Sequence, residues 1–261
     1  NVALNSPIEQ SRFRGECTVK LRVTNCEGIV LEGAPYEFTF FDTNTIKTIS
    51  VARGKTSKSG EIILQNVKNG TNALRLVAKI NGVEFPMRFD QVSTNENRDL
   101  LLPPGPGDSA PKFEVKELAL GAAKTYPNGR YAILDFWAVW CGACQEPMAA
   151  LNDTLSRKAA AWSNRVDVIA VNLDDSKDDV TRRIKEKGWR GFPNYWEPRG
   201  FESDLAKLYQ IVQLPTSLLI GPDGRILWRG DPRELDFEQL IDNLLAGRAK
   251  ADELISWHRN N

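Results

Sequence analysis

Histidine is nearly missing from this chain and cysteine is sparse: one histidine, His258, and four cysteines, Cys17, Cys26, Cys141 and Cys144, occur in 261 residues. A structural zinc site takes four ligands, usually as two Cys-x-x-Cys or Cys-x-x-His knuckles, and the chain offers a single such knuckle. The ligand supply argues against zinc, and no metal site is expected. The cysteines are also too few for a disulfide-scaffolded mini-protein, and a chain of this length has no need of such staples. Excess charge is lacking as well. Lysine plus arginine and aspartate plus glutamate number 34 each, so no global pull toward nucleic acid or an anionic membrane exists. No apolar run reaches eighteen residues, so no integral membrane span is expected in this chain. The first residue is Asn1 rather than methionine, and an upstream segment is expected to have been removed.

What is present reads as two domains. From about Cys17 to Leu102, short alternating segments such as "CTVKLRVTN", "PYEFTFFD" and "NALRLVAKI" are separated by turn chemistry such as "SKSGE" and "KINGVE". Alternation is plain in Val19, Leu21, Val23 and in Leu74, Leu76, Ala78, Ile80. This pattern predicts an all-β antiparallel sandwich over residues 15–102. The stretches "VTNCEGIVLEGAPYEF" and "TSKSGEIILQNVKNGTNALRLVA" make the segment resemble carboxypeptidase-regulatory or transthyretin-like sandwiches. Three prolines and two glycines then fall within Pro103 to Gly107, and residues 103–110 are expected to act as a semi-stiff linker.

Beyond the linker, residues 111–250 change rhythm to an α/β domain. "RYAILDFWAV" and "RVDVIAVNLD" are apolar runs of buried-strand type, and "QEPMAALNDTLSRKAAAW" has helical spacing. "DDVTRRIKEKG" and "LDFEQLIDNLLAG" are helices stopped by glycine, "SDLAKLYQI" is a short helix, and "PTSLLIG" and "GRILWRG" are strands flanking a "GPDG" turn.

The knuckle "WCGAC" lies between the first of these strands and the first helix. A purely structural disulfide across so short a loop is strained and easily reduced, which is useful only if the bond turns over. A cysteine at a helix N-terminus has its thiolate stabilised by free backbone N–H groups and the macrodipole, so Cys141 is the expected nucleophile. Cys144, one turn along, is the less exposed thiol expected to resolve a mixed disulfide. Trp140 flanks the exposed thiol and could shape a docking surface, whereas Trp137 is simplest as core.

"LDFWAVWCGAC" followed about seventy residues later by "QLPTSLL" resembles the thioredoxin superfamily, and "VIAVNLD" with "LAKLYQIVQLPTSLLIGPDGRI" resembles its TlpA/ResA-like branch. The resemblance implies a thioredoxin fold and a thiol:disulfide oxidoreductase with Cys141 attacking and Cys144 resolving. It makes Pro215 a cis-proline, with Leu214 before it offering backbone hydrogen bonds to a bound substrate strand. It also makes Asp135 the proton acceptor for the resolving thiol. Asp135 suits that role physically, because a carboxylate inside an apolar strand is pushed toward neutral pKa by burial. No cofactor is expected. The implied partners are a substrate protein carrying a disulfide or dithiol and a separate redox partner that regenerates the pair, and the implied location is extracytoplasmic, in a bacterial periplasm or envelope. A binding module, in which the sandwich docks a partner and turnover is secondary, is the alternative.

Two residues depart from that branch, which carries a glutamate three and a proline five after the second cysteine. Here Glu146 is two after and Pro147 three after. Glu146 reads as a solvated first-turn charge, and Pro147 is expected to kink the helix. "LDDSKDD", residues 173–179, reads as caps and first-turn charges. The aromatic stretch "GWRGFPNYWEPRGFESD", residues 188–204, is expected to put at least half of its aromatic rings in the core. Cys17 and Cys26, about 30 Å apart on one strand, are expected to be separate buried thiols.

Overall fold

The computed structural model describes residues 16–42, 47–68, 74–87, 96–118, 121, 123–189 and 192–260. They fall into two compact units: one holds the described residues up to Gly105 together with those from His258 on, the other Pro106–Trp257.

The first unit is built from β1 (Glu16–Thr24), β2 (Pro35–Asp42), β3 (Lys47–Lys55), β4 (Glu61–Lys68), β5 (Leu74–Ile80), β6 (Val83–Met87) and β7 (Glu96–Leu101). They form a three-stranded sheet, β4-β1-β7, and a four-stranded sheet, β3-β2-β5-β6. Period-two alternation fills a single core from both sheets, with Val19, Leu21, Val23 and Ile62 from one and Phe38, Ala78, Ile80 and Val83 from the other. Between these, Lys20 and Arg22 turn outward. The β5–β6 hairpin closes through Asn81 and Gly82, both at positive φ, as its Asn-Gly sequence demands. A Cβ at Gly82 would also meet the His258 carbonyl oxygen at 2.6 Å.

One pairing departs from the antiparallel expectation, since β7 runs parallel to β1. Parallel neighbours need a long crossover, and the intervening strands supply it. Cys26 is half-buried rather than buried. The strand stops at Thr24, and the Asn25 side chain accepts from the amides of Glu27 and Ile29 at 3.1 and 2.9 Å, turning the chain outward. The side chains of Cys17, Leu74 and Leu76 lie outside the described residues.

The second unit begins with residues that had been expected to act as a spacer. The Gly107 and Ala110 amides donate to the Ile226 and Gly224 carbonyls, both at 2.8 Å, and the Ile226 amide donates back to Asp108 at 3.0 Å. Proline lacks a donor, but the glycine, aspartate and alanine among these prolines supply the pairing.

The remaining elements are β8 (Phe113–Lys116), β9 (Ala123–Tyr126), β10 (Tyr131–Trp137), α1 (Gln145–Trp162), β11 (Val166–Asn172), α2 (Lys177–Lys187), β12 (Asn194–Trp196), α3 (Asp204–Leu208), β13 (Thr216–Ile220), β14 (Ile226–Gly230), α4 (Phe237–Leu245) and α5 (Ala251–Asn260). A five-stranded sheet, β12-β11-β10-β13-β14, forms the centre. β10, β11 and β12 run parallel, and β13 is antiparallel to both β10 and β14.

This sheet is buried on both faces, which is why its strands read as continuous apolar runs. Ala132, Leu134 and Phe136 of β10 enter one core. Ile133 and Trp137 enter the other, together with Met148 and Leu151 of α1.

Candidate active site

The site grows from the end of β10. The Trp137 carbonyl accepts from the Leu173 amide at 2.9 Å, so the strand is still paired where the cysteine loop begins. The Cys141 amide then donates to Ala138 at 3.2 Å, closing a tight turn. Cys141 is extended, with φ −80° and ψ 97°, and caps a 3₁₀ turn, Gly142–Cys144, that leads straight into α1. Cys144 is thus the last residue before the α-helix rather than a turn inside it. The two cysteines form a disulfide with their Cα atoms 5.4 Å apart.

Cys144 is the more buried sulfur, at 1% exposure. Cys141, expected to be exposed, is only 5% exposed. Both belong to the apolar cluster of Trp137 and Met148. What reaches solvent is the rest of the loop: Gly142 and Ala143 are exposed, and Trp140 is 62% exposed. The Trp140 ring meets Phe201 with centroids 6.3 Å apart.

Glu146 is an exposed acidic residue in the first turn of α1, as expected. The expected kink at Pro147 does not occur, and α1 continues unbroken to Trp162. Pro147 is the third residue of the helix, where an amide has no helical acceptor to lose.

Asp135 lies in the middle of β10, 1% exposed. Alternation places it on the face of Ile133 and Trp137, the face that packs against the cluster containing Cys141, Cys144 and α1. Its lateral neighbours are Ala170 on β11 and Ser217 on β13. The Ser217 hydroxyl donates to Asp135 Oδ1. Burial pushes the Asp135 carboxyl up to about 6 from its ordinary 3.8. The Ser217 bond opposes that rise, and the negative charge of Asp231 adds to it.

The Leu214–Pro215 peptide bond is cis. Leu214 packs against the cluster that holds both cysteines. The Thr216 hydroxyl beside it donates to the Gln213 carbonyl at 2.9 Å and fixes the turn into β13.

Residues 128–226 match a family model described as thioredoxin-like. This segment is a thioredoxin-like domain. The chain is 30% identical over 125 residues to the thiol-disulfide oxidoreductase ResA of Oceanobacillus iheyensis, covering 46% of this chain and 62% of that protein. It is 28% identical over 139 residues to ResA of Bacillus thuringiensis subsp. konkukian, covering 53% of this chain and 73% of that protein. Among solved structures, a thiol-disulfide oxidoreductase from Bacteroides fragilis is similar at 27% identity and a TM-score of 0.42, covering 53% of this chain and 98% of the other.

The thioredoxin-like domain also holds hydrogen-bond partners of Asp135 and of the cysteine loop that the sequence does not reveal. Ser217, the partner of Asp135, was visible only as a hydroxyl in an apolar strand. Asp174 was assigned to a cap, yet α2 is capped by Ser176, which accepts from the Asp179 amide at 3.3 Å. Asp178 and Asp179 do occupy the first turn of that helix. Asp174 instead accepts from the Val139 amide at 2.6 Å, reaching across to the cysteine loop. Trp189, Phe192 and Tyr195 are buried in the domain core, in line with the expectation for at least half of that stretch's rings, while Trp196 is half-buried. No cluster of three metal-ligating side chains occurs among the described residues.

Proposed function

We propose that the chain is a thiol:disulfide oxidoreductase that exchanges electrons with protein disulfides through Cys141 and Cys144. The observation that carries this reading is the disulfide itself, closed across a turn that opens a helix and packed over a strand bearing a buried carboxyl. In the reducing direction, the Cys141 thiolate attacks a substrate disulfide, forming a mixed disulfide and releasing one substrate thiolate. Cys144 loses its proton to Asp135 and attacks the Cys141 sulfur, releasing the second substrate thiol and leaving the pair oxidised. Two electrons have then passed to the substrate, and a separate dithiol donor restores the pair.

A carboxyl held near 6 suits proton transfer close to neutral pH. Trp140, Leu214 and the cis-proline Pro215 are assigned to contact the substrate around the cysteines. The exposure of Trp140 and the packing of Leu214 against the cluster that holds the pair support that assignment. The likeness to thiol-disulfide oxidoreductases supports disulfides as substrates, and an extracytoplasmic location is part of the same proposal. The strand-rich first unit is assigned as an accessory domain, residues 15–102, joined through 103–110 to the catalytic domain, residues 111–250.

Insulin reduction with dithiothreitol as electron donor tests the reading. Turnover by the native chain and none by Cys141→Ser is expected. Equal rates above background in both would sink the enzymatic assignment and leave the binding-module alternative.

A further inference from the structure

Asp174 is a buried carboxylate, 8% exposed, that the proposed exchange does not use. Its Oδ2 accepts from the Val139 amide at 2.6 Å and from Asn172 Nδ2 at 2.7 Å. Asn172 Oδ1 in turn accepts the Asp174 amide at 2.8 Å, which fixes the carboxylate's direction. The Asp174 carbonyl accepts from the Trp196 indole at 2.6 Å. Four hydrogen bonds therefore lock one short loop after β11 and join it to the loop that carries the cysteines. Val139 stands two residues before Cys141, inside the turn that the Cys141 amide closes onto the Ala138 carbonyl.

The geometry points to Asp174 as a positioning residue for Cys141: by anchoring the Val139 amide it holds the attacking sulfur at the N-terminal end of the 3₁₀ turn and α1. The inference rests on the proposed redox role. A thiolate at a helix start is stabilised only while its sulfur stays against the free amides there. Without the anchor, Val139 and Trp140 are left with the hydrogen bond that closes the turn from Cys141 to Ala138, and the sulfur is freer to leave that position. A buried carboxylate also costs free energy to keep, which favours a function for its hydrogen bonds beyond filling space.

Charge and position make opposite demands. A negative charge near a thiol disfavours the thiolate, so removing it lowers the thiol pKa, whereas losing the anchor raises it. Asp174→Asn keeps an accepting oxygen and removes the charge, and Asp174→Ala removes both.

The test is the pH dependence of Cys141 alkylation by iodoacetamide in the reduced full chain, resolved by peptide mass. We expect the midpoint in Asp174→Ala to rise by about one unit, which means about tenfold less thiolate at neutral pH. Asp174→Asn should show no rise. An unchanged midpoint in the alanine variant, or an equal rise in the asparagine variant, overturns the proposal. If the alanine variant does not fold, Trp196→Phe, which releases the Asp174 carbonyl, must raise the midpoint, and no rise there overturns it too. Alkylation reads the thiolate without any substrate, so its result is separable from the insulin assay: a chain that fails to reduce insulin can still show the shift.

Discussion

β1 and β10 are both well-formed strands that fill a unit's core, yet a polar residue means something different in each. In β1, Val19, Leu21 and Val23 are buried while Lys20 and Arg22 point outward, so the polar half of the strand is solvated. In β10, every residue from Ala132 to Trp137 is buried, because cores lie on both faces of its sheet. A carboxylate there cannot be a solvated face. A polar residue in a two-sided strand therefore carries a cost that its chemistry must justify, whereas in a one-sided strand it is the ordinary way of meeting water.

The largest effect expected from this comparison is apolar. Leu21→Ala should destabilise the first unit by about 2–5 kcal/mol, the range for a fully buried leucine truncated to alanine. The seven tryptophans all lie within Trp137–Trp257, in the second unit. Far-ultraviolet circular dichroism in urea should therefore show an early transition that tryptophan fluorescence does not share.

Asp135→Asn comes next and has the opposite sign. The folded carboxyl is raised to about 6 from 3.8, so its favourable contribution is whole below about 3.8 and is lost as pH rises through about 6. A rise of that size corresponds to about 3 kcal/mol. The asparagine variant should match the native chain in urea at pH 4 and be more stable by about 3 kcal/mol at pH 8, while reducing insulin more slowly. A gap of equal size at both pH values would mean that the carboxyl does not titrate as a buried acid. β10 would then lose its distinction from β1.

The sequence showed much of this, and the rest was hidden for physical reasons. The β10 run, the helix spacing of α1 and the glycine that ends α2 are local patterns, and each element formed where its pattern lay. The cysteine pair and Asp135 were legible because a chemically costly residue stands out against an apolar run. Asp174 was not, because its partner Val139 lies thirty-five residues away and only the fold joins them. Locally, "LDDSKDD" shows nothing but carboxylates before a helix. The parallel return of β7 beside β1 is likewise a long-range event. β9 and β12, of four and three residues, are too short for periodicity to register. The burial of Cys141 comes from the cluster of Trp137 and Met148, which only the fold assembles around the motif.

Ser217→Ala tests the partner of Asp135 and should have a smaller effect. Its hydroxyl stabilises the ionised carboxylate, so removing it should push the Asp135 carboxyl further up and cost about 1–2 kcal/mol at pH 8. Below pH 4, where the carboxyl is protonated, the cost should shrink. Stability measured in urea across pH 4 to 8 gives both values, and a cost that does not vary with pH would show that Ser217 only fills space.

Lys20→Gln completes the comparison from the one-sided strand and should do almost nothing. Lys20 Nζ lies 3.4 Å from a Glu61 carboxylate oxygen, but both side chains are more than a third exposed. Solvent screens such a pair and ordering two long side chains offsets the attraction, so the expected change in urea stability is within about 0.5 kcal/mol. Added salt should reduce even that, since the native pair weakens as ions screen it. A loss above about 1 kcal/mol would show that the outward face of β1 is not simply solvated. Polar residues there would then need the same explanation that Asp135 needs in β10.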